Sequence, residues 1–572
     1  MTRSRSAYRG VLRYWVVLTA LMAGFGLLAL RAIYLQVLSA DYLQRQGDAR
    51  YLRTVTDNAH RGMIIDRNGE PLAISTPVES VWAHPATFAE ARGRWRTLGA
   101  LLDLKVAEVS ELVSRYKDRE FMYLKRHVTP TVAERVAALN IPGVYLQREY
   151  RRYYPTGSVS GHAIGFTDID DRGQEGLELA YDHALRATPG SRRVLKDLHG
   201  NVVETVEIVS LPIPGRDVVV SLDRRIQYLA YRELKAAIDG HGARAGTAIV
   251  LDARTGEVLA MVNQPAFNPN NRTNLRSGQF RNRAVTDVFE PGSTMKPFTI
   301  AAALESGRFN ADSLIDTAPG RLRVGAKTIH DTRNYGVLSI AQVIERSSNV
   351  GAAKIALSLD KEHIWGLFRR VGFGDSTGSQ LPAESAGLLN LPSRWVAIDH
   401  ANVSFGYGIS VTALQLARAY AALANDGVIV PVTMLRRERL PQGERVMSRE
   451  TARHIRDMLE LAVGDSGTGT EARVSHYRVA GKTGTVHKLI AGDYADDRYI
   501  ASFAGMAPAS QPRLVMVVTV DEPSERAHFG GQAAAPVFGR VMSDALRLLN
   551  ITPDTPREHM RWATPVSGNS AT

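Results

Sequence analysis

A serine hydroxyl becomes a useful nucleophile when a base stands beside it to take its proton. The stretch Phe289-Glu290-Pro291-Gly292-Ser293-Thr294-Met295-Lys296 sets an amine three residues after a serine. At that spacing two side chains share almost the same helix face, one turn apart. Pro291 and Gly292 break what precedes them, and the apolar run of Phe298, Ile300, residues 301–303 and Leu304 stops near Gly307. Ser293 is therefore expected at the start of a buried helix, where unpaired backbone N–H groups and the helix dipole favour developing negative charge. Ser-x-x-Lys alone discriminates little, because Ser114 with Lys117 and Ser358 with Lys361 share the pattern. Those two lie in charged surroundings without the Pro-Gly break.

Two further small motifs follow in order, Ser347-Ser348-Asn349 and Lys482-Thr483-Gly484-Thr485, the latter on a strand pattern. If they meet Ser293, each residue type has a use. Lys296 accepts the serine proton once burial or a neighbouring cation such as Lys482 brings its pKa down from about 10.4. Ser347 relays a proton to the leaving amine, and Asn349 offers an amide to the substrate and to Lys296. Lys482 supplies positive charge for a substrate carboxylate, and Thr483 and Thr485 add hydroxyls. Gly481 and Gly484 are expected to leave room for an extended substrate along the strand. The N–H groups of Ser293 and Thr485 are the expected oxyanion hole, each such donor being worth a factor of about 10² to 10³. The sequence has no His-Glu-x-x-His, no phosphate loop and no Gly-x-Ser-x-Gly, so neither metal nor nucleotide cofactor is expected.

The elements that must position these residues extend along 572 residues, too many for one core. With 44% hydrophobic and 22% charged residues the composition is globular. The net charge of +12 is spread out, with no basic block interleaved with aromatics, so a nucleic-acid partner is not expected. Zero cysteines exclude a thiol nucleophile and disulfides. Arg3, Arg5, Arg9 and Arg13 precede an apolar run over 14–30, which reads as an uncleaved membrane anchor with residues 1–13 in the cytoplasm and the rest exported. A helical stalk follows over 33–49, then a hairpin around Asp66-Arg67-Asn68-Gly69, and helices near 92–116 and 131–139. The expected division is 1–13 tail, 14–34 anchor, 35–215 non-catalytic pedestal, 216–550 catalytic domain and 551–572 disordered tail. Within the catalytic domain, strands over 247–261, helices, then strands over 477–486, 499–506 and 513–520 and a helix over 535–549 predict an α+β fold built on one antiparallel sheet.

The three motifs in this order are those of penicillin-binding proteins and class A β-lactamases, and further segments narrow the likeness. Arg61-Gly62, Asp66-Arg67-Asn68-Gly69, residues 173–178 and the stretch beginning Gly406-Tyr407-Gly408 make the chain resemble a class B penicillin-binding protein. It is most similar to the division-type (FtsI-like) peptidoglycan D,D-transpeptidases. The resemblance implies a five-stranded sheet flanked by helices, like that of serine β-lactamases, and no cofactor. It also implies acylation of Ser293 by peptidoglycan stem peptides or by β-lactams, in septal wall synthesis. The implied partners are an FtsW-type membrane glycosyltransferase and other septal proteins at the inner membrane. Phe529 is an implied substrate contact, and His528 stands where the family pattern has Tyr, which leaves a condition-specific paralogue open. A D,D-carboxypeptidase-like or β-lactamase hydrolase uses the same acyl-enzyme, and a β-lactam sensor or divisome scaffold is the reading from another class.

Overall fold

The computed structural model describes residues 4–42, 52–196, 202–273, 275–490, 492–524 and 528–555. The chain packs as two compact units that are not contiguous in sequence. One comprises Met1–His60, Pro77–Tyr150 and Ala187–Pro214, the other Arg61–Thr76, Arg151–Arg186 and Gly215–Thr572. The compact units thus cut across a linear boundary at 215/216, because two pieces of the expected pedestal pack with the catalytic residues.

In the first unit, helix α1 (Ser4–Ile33) runs into a π-helical turn, Tyr34–Leu38. The span Val11–Leu38 has mean hydropathy 2.1 and no buried residue, enough apolar length to cross a bilayer. Of the expected stalk, residues 43–49 lie outside the described residues. The helix expected near 92–116 is two helices, Trp95–Leu102 and Val106–Arg115. Asp103 takes a left-handed φ of 54° and ends the first, so the chain reverses and both amphipathic faces reach one core through Trp95, Leu98, Leu102, Val109 and Val113. Strands Leu52–Asp57, Gly190–Lys196 and Val202–Ser210 form a separate three-stranded antiparallel sheet.

The second unit is built on helix α2 (Arg224–His241), strands β1 (Ala245–Asp252) and β2 (Val258–Gln264), and helices α3 (Lys296–Glu305), α4 (Asn349–Leu357) and α5 (Ala413–Ala424). Strands β3 (Ala480–Ile490), β4 (Asp493–Ala507) and β5 (Leu514–Asp521) and helix α6 (Ala535–Leu548) complete it. The sheet order is β2-β1-β5-β4-β3, all neighbours antiparallel. Period-two alternation divides its residues between two cores. Ile249, Leu251, Val515 and Val517 face the core shared with Phe298 and Ile300 of α3 and Leu414 and Leu416 of α5. Ala248, Val250, Met516 and Val518 face the other, closed by Leu234 of α2 and by Phe538 and Val541 of α6. Both faces are covered, which is why these strands read as apolar runs; each fully buried side chain of this size contributes about 1.5–3 kcal/mol. β3 lies at the sheet edge.

β3 and β4 run well past the expected strands, pairing with each other out to Ile490 and Asp493 although Leu489, Ile490 and Tyr494 there are exposed and face no core. They form a ribbon outside the packed layers. The C-terminal segment is also more ordered than its composition suggests, since Tyr477 Oη donates to the Ile551 carbonyl (2.6 Å) and the Asp554 carboxylate accepts from Arg478 N (2.7 Å) and Ser510 N (3.0 Å). The rest of the expected disordered tail, 556–572, lies outside the described residues.

The Arg61 segment meets residues 173–178 through a buried ionic cluster. Arg61 donates to Glu178 Oε2 (2.8 Å) and Asp182 Oδ1 (2.7 Å), and Arg152 donates to Glu178 Oε1 (2.6 Å). Glu178 is fully buried between two guanidinium groups. Removing one partner of such a group leaves uncompensated charge in a low-dielectric site. Glu178→Ala is therefore expected to lower stability by about 3–5 kcal/mol, read as a lower melting temperature of the full-length chain in detergent. Asp182→Ala, at a carboxylate that is 18% exposed, is expected to cost less.

Candidate active site

Ser293 does not sit in the α-helix itself. Gly292–Met295 form one 3₁₀ turn, and α3 begins at Lys296. Three residues per turn bring side chains i and i+3 into register, so Lys296 stands directly over Ser293, and its Nζ lies 2.9 Å from Ser293 Oγ. The turn opens at Gly292, whose φ of +55° would strain an L side chain and whose missing Cβ leaves space for Val486. Tyr420 of α5 donates to the Thr294 carbonyl (3.0 Å), holding the turn from beneath.

Ser347 and Asn349 arrive at the N-terminus of α4. Ser347 Oγ donates to Ser293 Oγ (2.9 Å), and Lys296 Nζ reaches the Ser347 carbonyl (2.7 Å), Ser347 Oγ (3.2 Å) and Asn349 Oδ1 (2.7 Å). Ser347 takes φ +61°, a conformation that costs on the order of 1 kcal/mol for a non-glycine residue and marks a constrained position. Lys296 is buried, and its pKa falls well below the ordinary value by burial first, then by the charge of Lys482, with Asp331 opposing.

Lys482, Thr483, Gly484 and Thr485 come from the edge strand β3. The Lys482 side chain is buried rather than displayed, and burial lowers its pKa to about 7. Its Nζ makes long contacts to Thr468 Oγ1 (3.5 Å), Thr483 O (3.3 Å) and Thr483 Oγ1 (3.4 Å), and among the described residues no carboxylate pairs with it. Thr485 Oγ1 accepts from Gly530 N (3.0 Å), which seats Phe529 at the mouth, its side chain 54% exposed. The glycines serve a purpose other than the expected one. A Cβ on Gly484 would meet Ser502 Oγ and lie 2.9 Å from the Pro291 carbonyl, and one on Gly481 would meet the Phe503 ring. The space they leave is filled by the protein's own packing, which lets β3 close on the nucleophile turn.

A groove of about 660 Å³ runs over these groups, lined by Ser293, Ser347, Asn349, Thr483, Thr485 and Phe529 and extended by His330, Arg346, Thr468 and Gln532. Every expected site residue is in or against this groove; Lys296, Lys482 and Gly484 lie behind its lining. The competing Ser-x-x-Lys pairs are spent on helices: Ser114 Oγ donates to Ser110 O and Ser358 Oγ to Ile355 O.

Sequence reasoning missed two participants. Thr468 shares a hydrogen bond with Thr483 (2.7 Å) and approaches Lys482; the only signal was the small-residue run Gly467-Thr468-Gly469-Thr470. Asp331 accepts from Ser348 Oγ (2.6 Å), Asn349 N (2.5 Å) and Val350 N (3.0 Å). It caps α4 from a distant loop, which no local pattern announces.

The chain matches two family models, the penicillin binding protein transpeptidase domain over residues 246–543 and the penicillin-binding protein dimerisation domain over 56–220. It is 41% identical over 553 residues to the probable peptidoglycan D,D-transpeptidase PenA of Neisseria meningitidis, covering 96% of this chain and 95% of that one. Against the peptidoglycan D,D-transpeptidase FtsI of Escherichia coli identity is 40% over 545 residues, 94% and 92% of the two chains. Among solved structures, the apo transpeptidase domain of Burkholderia pseudomallei penicillin-binding protein 3 is 43% identical with TM-score 0.55, covering 59% of this chain and 98% of that one. Penicillin-binding protein 3 of Mycobacterium tuberculosis, complexed with aztreonam, is 30% identical with TM-score 0.68 over 88% and 99%.

Asp331→Ala removes three bonds at the start of α4 and releases the residues that hold Lys296. It is expected to cost about 1–2 kcal/mol of stability and to slow acylation by a penicillin by about tenfold or more. Melting temperature and rate of covalent labelling, taken on the same preparation, check both.

Proposed function

We infer the chemistry of the groove from one premise: the chain belongs to the penicillin-binding protein transpeptidase family. It is a peptidoglycan D,D-transpeptidase, and the observation that carries the assignment is the contact of Lys296 Nζ with Ser293 Oγ inside a ring of Ser347 and Asn349. Ser293 Oγ attacks the carbonyl of the penultimate D-alanine of a stem peptide while its proton passes to neutral Lys296. The N–H groups of Ser293 and Thr485 receive the oxyanion. As the tetrahedral species collapses, the C–N bond breaks and Ser347 gives its proton to the departing D-alanine amine while taking the one held by Lys296. An amine of a neighbouring stem then attacks the ester, forming the crosslink and returning the proton to Ser293. Lys482, with Thr483 and Thr485, holds the substrate carboxylate, and Phe529 walls the mouth. A β-lactam acylates Ser293 by the same first step.

Location and partners follow from the family type and α1. The helix is a single-pass anchor in the inner membrane with residues 1–13 inside, and the catalytic unit acts outside the membrane. Along the sequence we assign 35–215 to the non-catalytic domain and 216–550 to the transpeptidase domain, with 61–76 and 151–186 packed into the catalytic unit. The division-type likeness supports septal synthesis beside an FtsW-type glycosyltransferase and other septal membrane proteins.

Treatment of the full-length chain with penicillin, followed by peptide mapping by mass spectrometry, is expected to find one adduct, on Ser293; a map that puts it elsewhere overturns the reading. The two lysines also predict a pH profile. Raising pH removes the proton that blocks Lys296, so acylation at low penicillin concentration rises with pH on its acid side. Above about 7 the Lys482 charge is lost, and the same rate falls as carboxylate capture weakens. A bound carboxylate holds the Lys482 proton, so the rate at saturating penicillin is expected to keep rising to higher pH. Coincident alkaline limbs in the two profiles would remove Lys482 from carboxylate binding.

A further inference from the structure

Strands β3 and β4 outgrow their sheet. β4 pairs with β5 only from Ile500 onward, whereas its pairing with β3 continues out to Asp493 and Ile490. The distal part is a two-stranded ribbon, a form of marginal stability by itself, and it contains a register shift between His487 and Leu489. Its root is the stretch 482–485 along the groove. The ribbon is thus the continuation of the strand that brings Thr483 and Thr485 to the groove.

The ribbon is held on two sides, and Tyr407 also bonds the His487 backbone. On one side Lys488 Nζ binds Asp521 Oδ1 (2.6 Å) and Glu522 Oε1 (2.7 Å). On the other, Tyr494 Oη donates to Glu290 Oε1 (3.0 Å), and the same oxygen accepts from Gly408 N (2.7 Å). The Tyr407 ring meets Tyr494 at 5.8 Å between centroids. Glu290 stands three residues before Ser293, in a segment clamped to residues 406–411. Phe289 and Val411 exchange both backbone bonds (3.0 and 2.9 Å), and Gly292 N donates to Gly406 O (3.1 Å). Among the described residues Oε2 of Glu290, which is buried, has no hydrogen-bond partner, so one oxygen carries both bonds. Burial raises the pKa of this carboxyl, and the Gly408 and Tyr494 bonds pull it back.

We propose that Glu290 is a positioning residue: by holding Gly408 and Tyr494 on one carboxylate oxygen it ties the β3–β4 ribbon to the nucleophile turn and sets the spacing between Ser293 and the substrate-binding strand. This rests on Ser293 being the acylated residue. Glu290 is not among the residues that line the groove, and its loss should slow the covalent step more than it weakens the initial complex, because a misplaced nucleophile pays in reaction geometry.

The test uses the full-length chain in detergent and a fluorescent penicillin. The dependence of labelling rate on concentration separates the dissociation constant of the initial complex from the acylation rate constant. Glu290→Ala and Tyr494→Phe are each expected to lower the acylation rate constant by about tenfold while the dissociation constant moves by less than about twofold. Glu290→Gln keeps an acceptor oxygen and is expected to stay within about twofold of wild type. The double variant Glu290→Ala/Tyr494→Phe is expected to be no slower than Glu290→Ala alone, since both changes cut one link. An unchanged rate in Tyr494→Phe, a Gln variant as slow as Ala, or additive losses would overturn the proposal. Should Glu290→Ala fail to fold, Tyr494→Phe, at a side chain 47% exposed, and Glu290→Gln decide the matter. Adduct mapping on wild type keeps the premise separate: an adduct away from Ser293 defeats the functional reading, whereas labelling of Ser293 at equal rates in all variants defeats only the latch.

Discussion

Burying two lysines in one small volume is the constraint on which this site depends. An ammonium taken out of water without a carboxylate is costly, and the fold meets that cost differently at each residue. Lys296 is given four oxygen acceptors, from Ser293, Ser347 and Asn349, and the nearby charge of Lys482 drives its proton away. Among the described residues Lys482 has only long contacts to threonine and backbone oxygens, an environment that an incoming carboxylate improves. One amine is thereby prepared to take a proton and the other to keep one for an anionic ligand.

The rest of the fold serves to bring those amines together without a direct link between them. The 3₁₀ turn aligns Lys296 with Ser293. The cap from Asp331 fixes the start of α4. Gly484 lets β3 approach the nucleophile turn as closely as backbone permits. The sheet supplies rigidity because both of its faces are packed, so the edge strand inherits a fixed position from β4 and β5 while its outer edge remains open to an extended peptide.

Much of this was legible in the sequence, for physical reasons that differ between elements. β1 and β5 announce themselves because full burial demands apolar runs, and α3 because its Pro-Gly start and alanine-rich body are local signals. Ser293, Lys296, Ser347, Asn349 and Lys482, which the fold brings together, were legible only as three short motifs taken in order, since each motif alone recurs by chance. Asp331 and Thr468 were not found, since a cap or hydroxyl supplied from another loop leaves no trace in neighbouring residues. The ribbon from 487 to 498 was missed because its strand form is imposed by pairing with itself rather than by any apolar pattern. The split of the helix near 92–116 at Asp103 was missed because one left-handed residue decides it.

The catalytic groups belong to elements far apart in the chain: α3, the head of α4 and the late strand β3. A piece of the chain must reach from α3 through β5 to bring Ser293, Asn349 and Lys482 together, because β3 is seated by β4 and β4 by β5. Long-range pairings of this kind form late and slowly. Covalent capture of a β-lactam therefore reports more than chemistry: a labelled molecule is one whose sheet is complete.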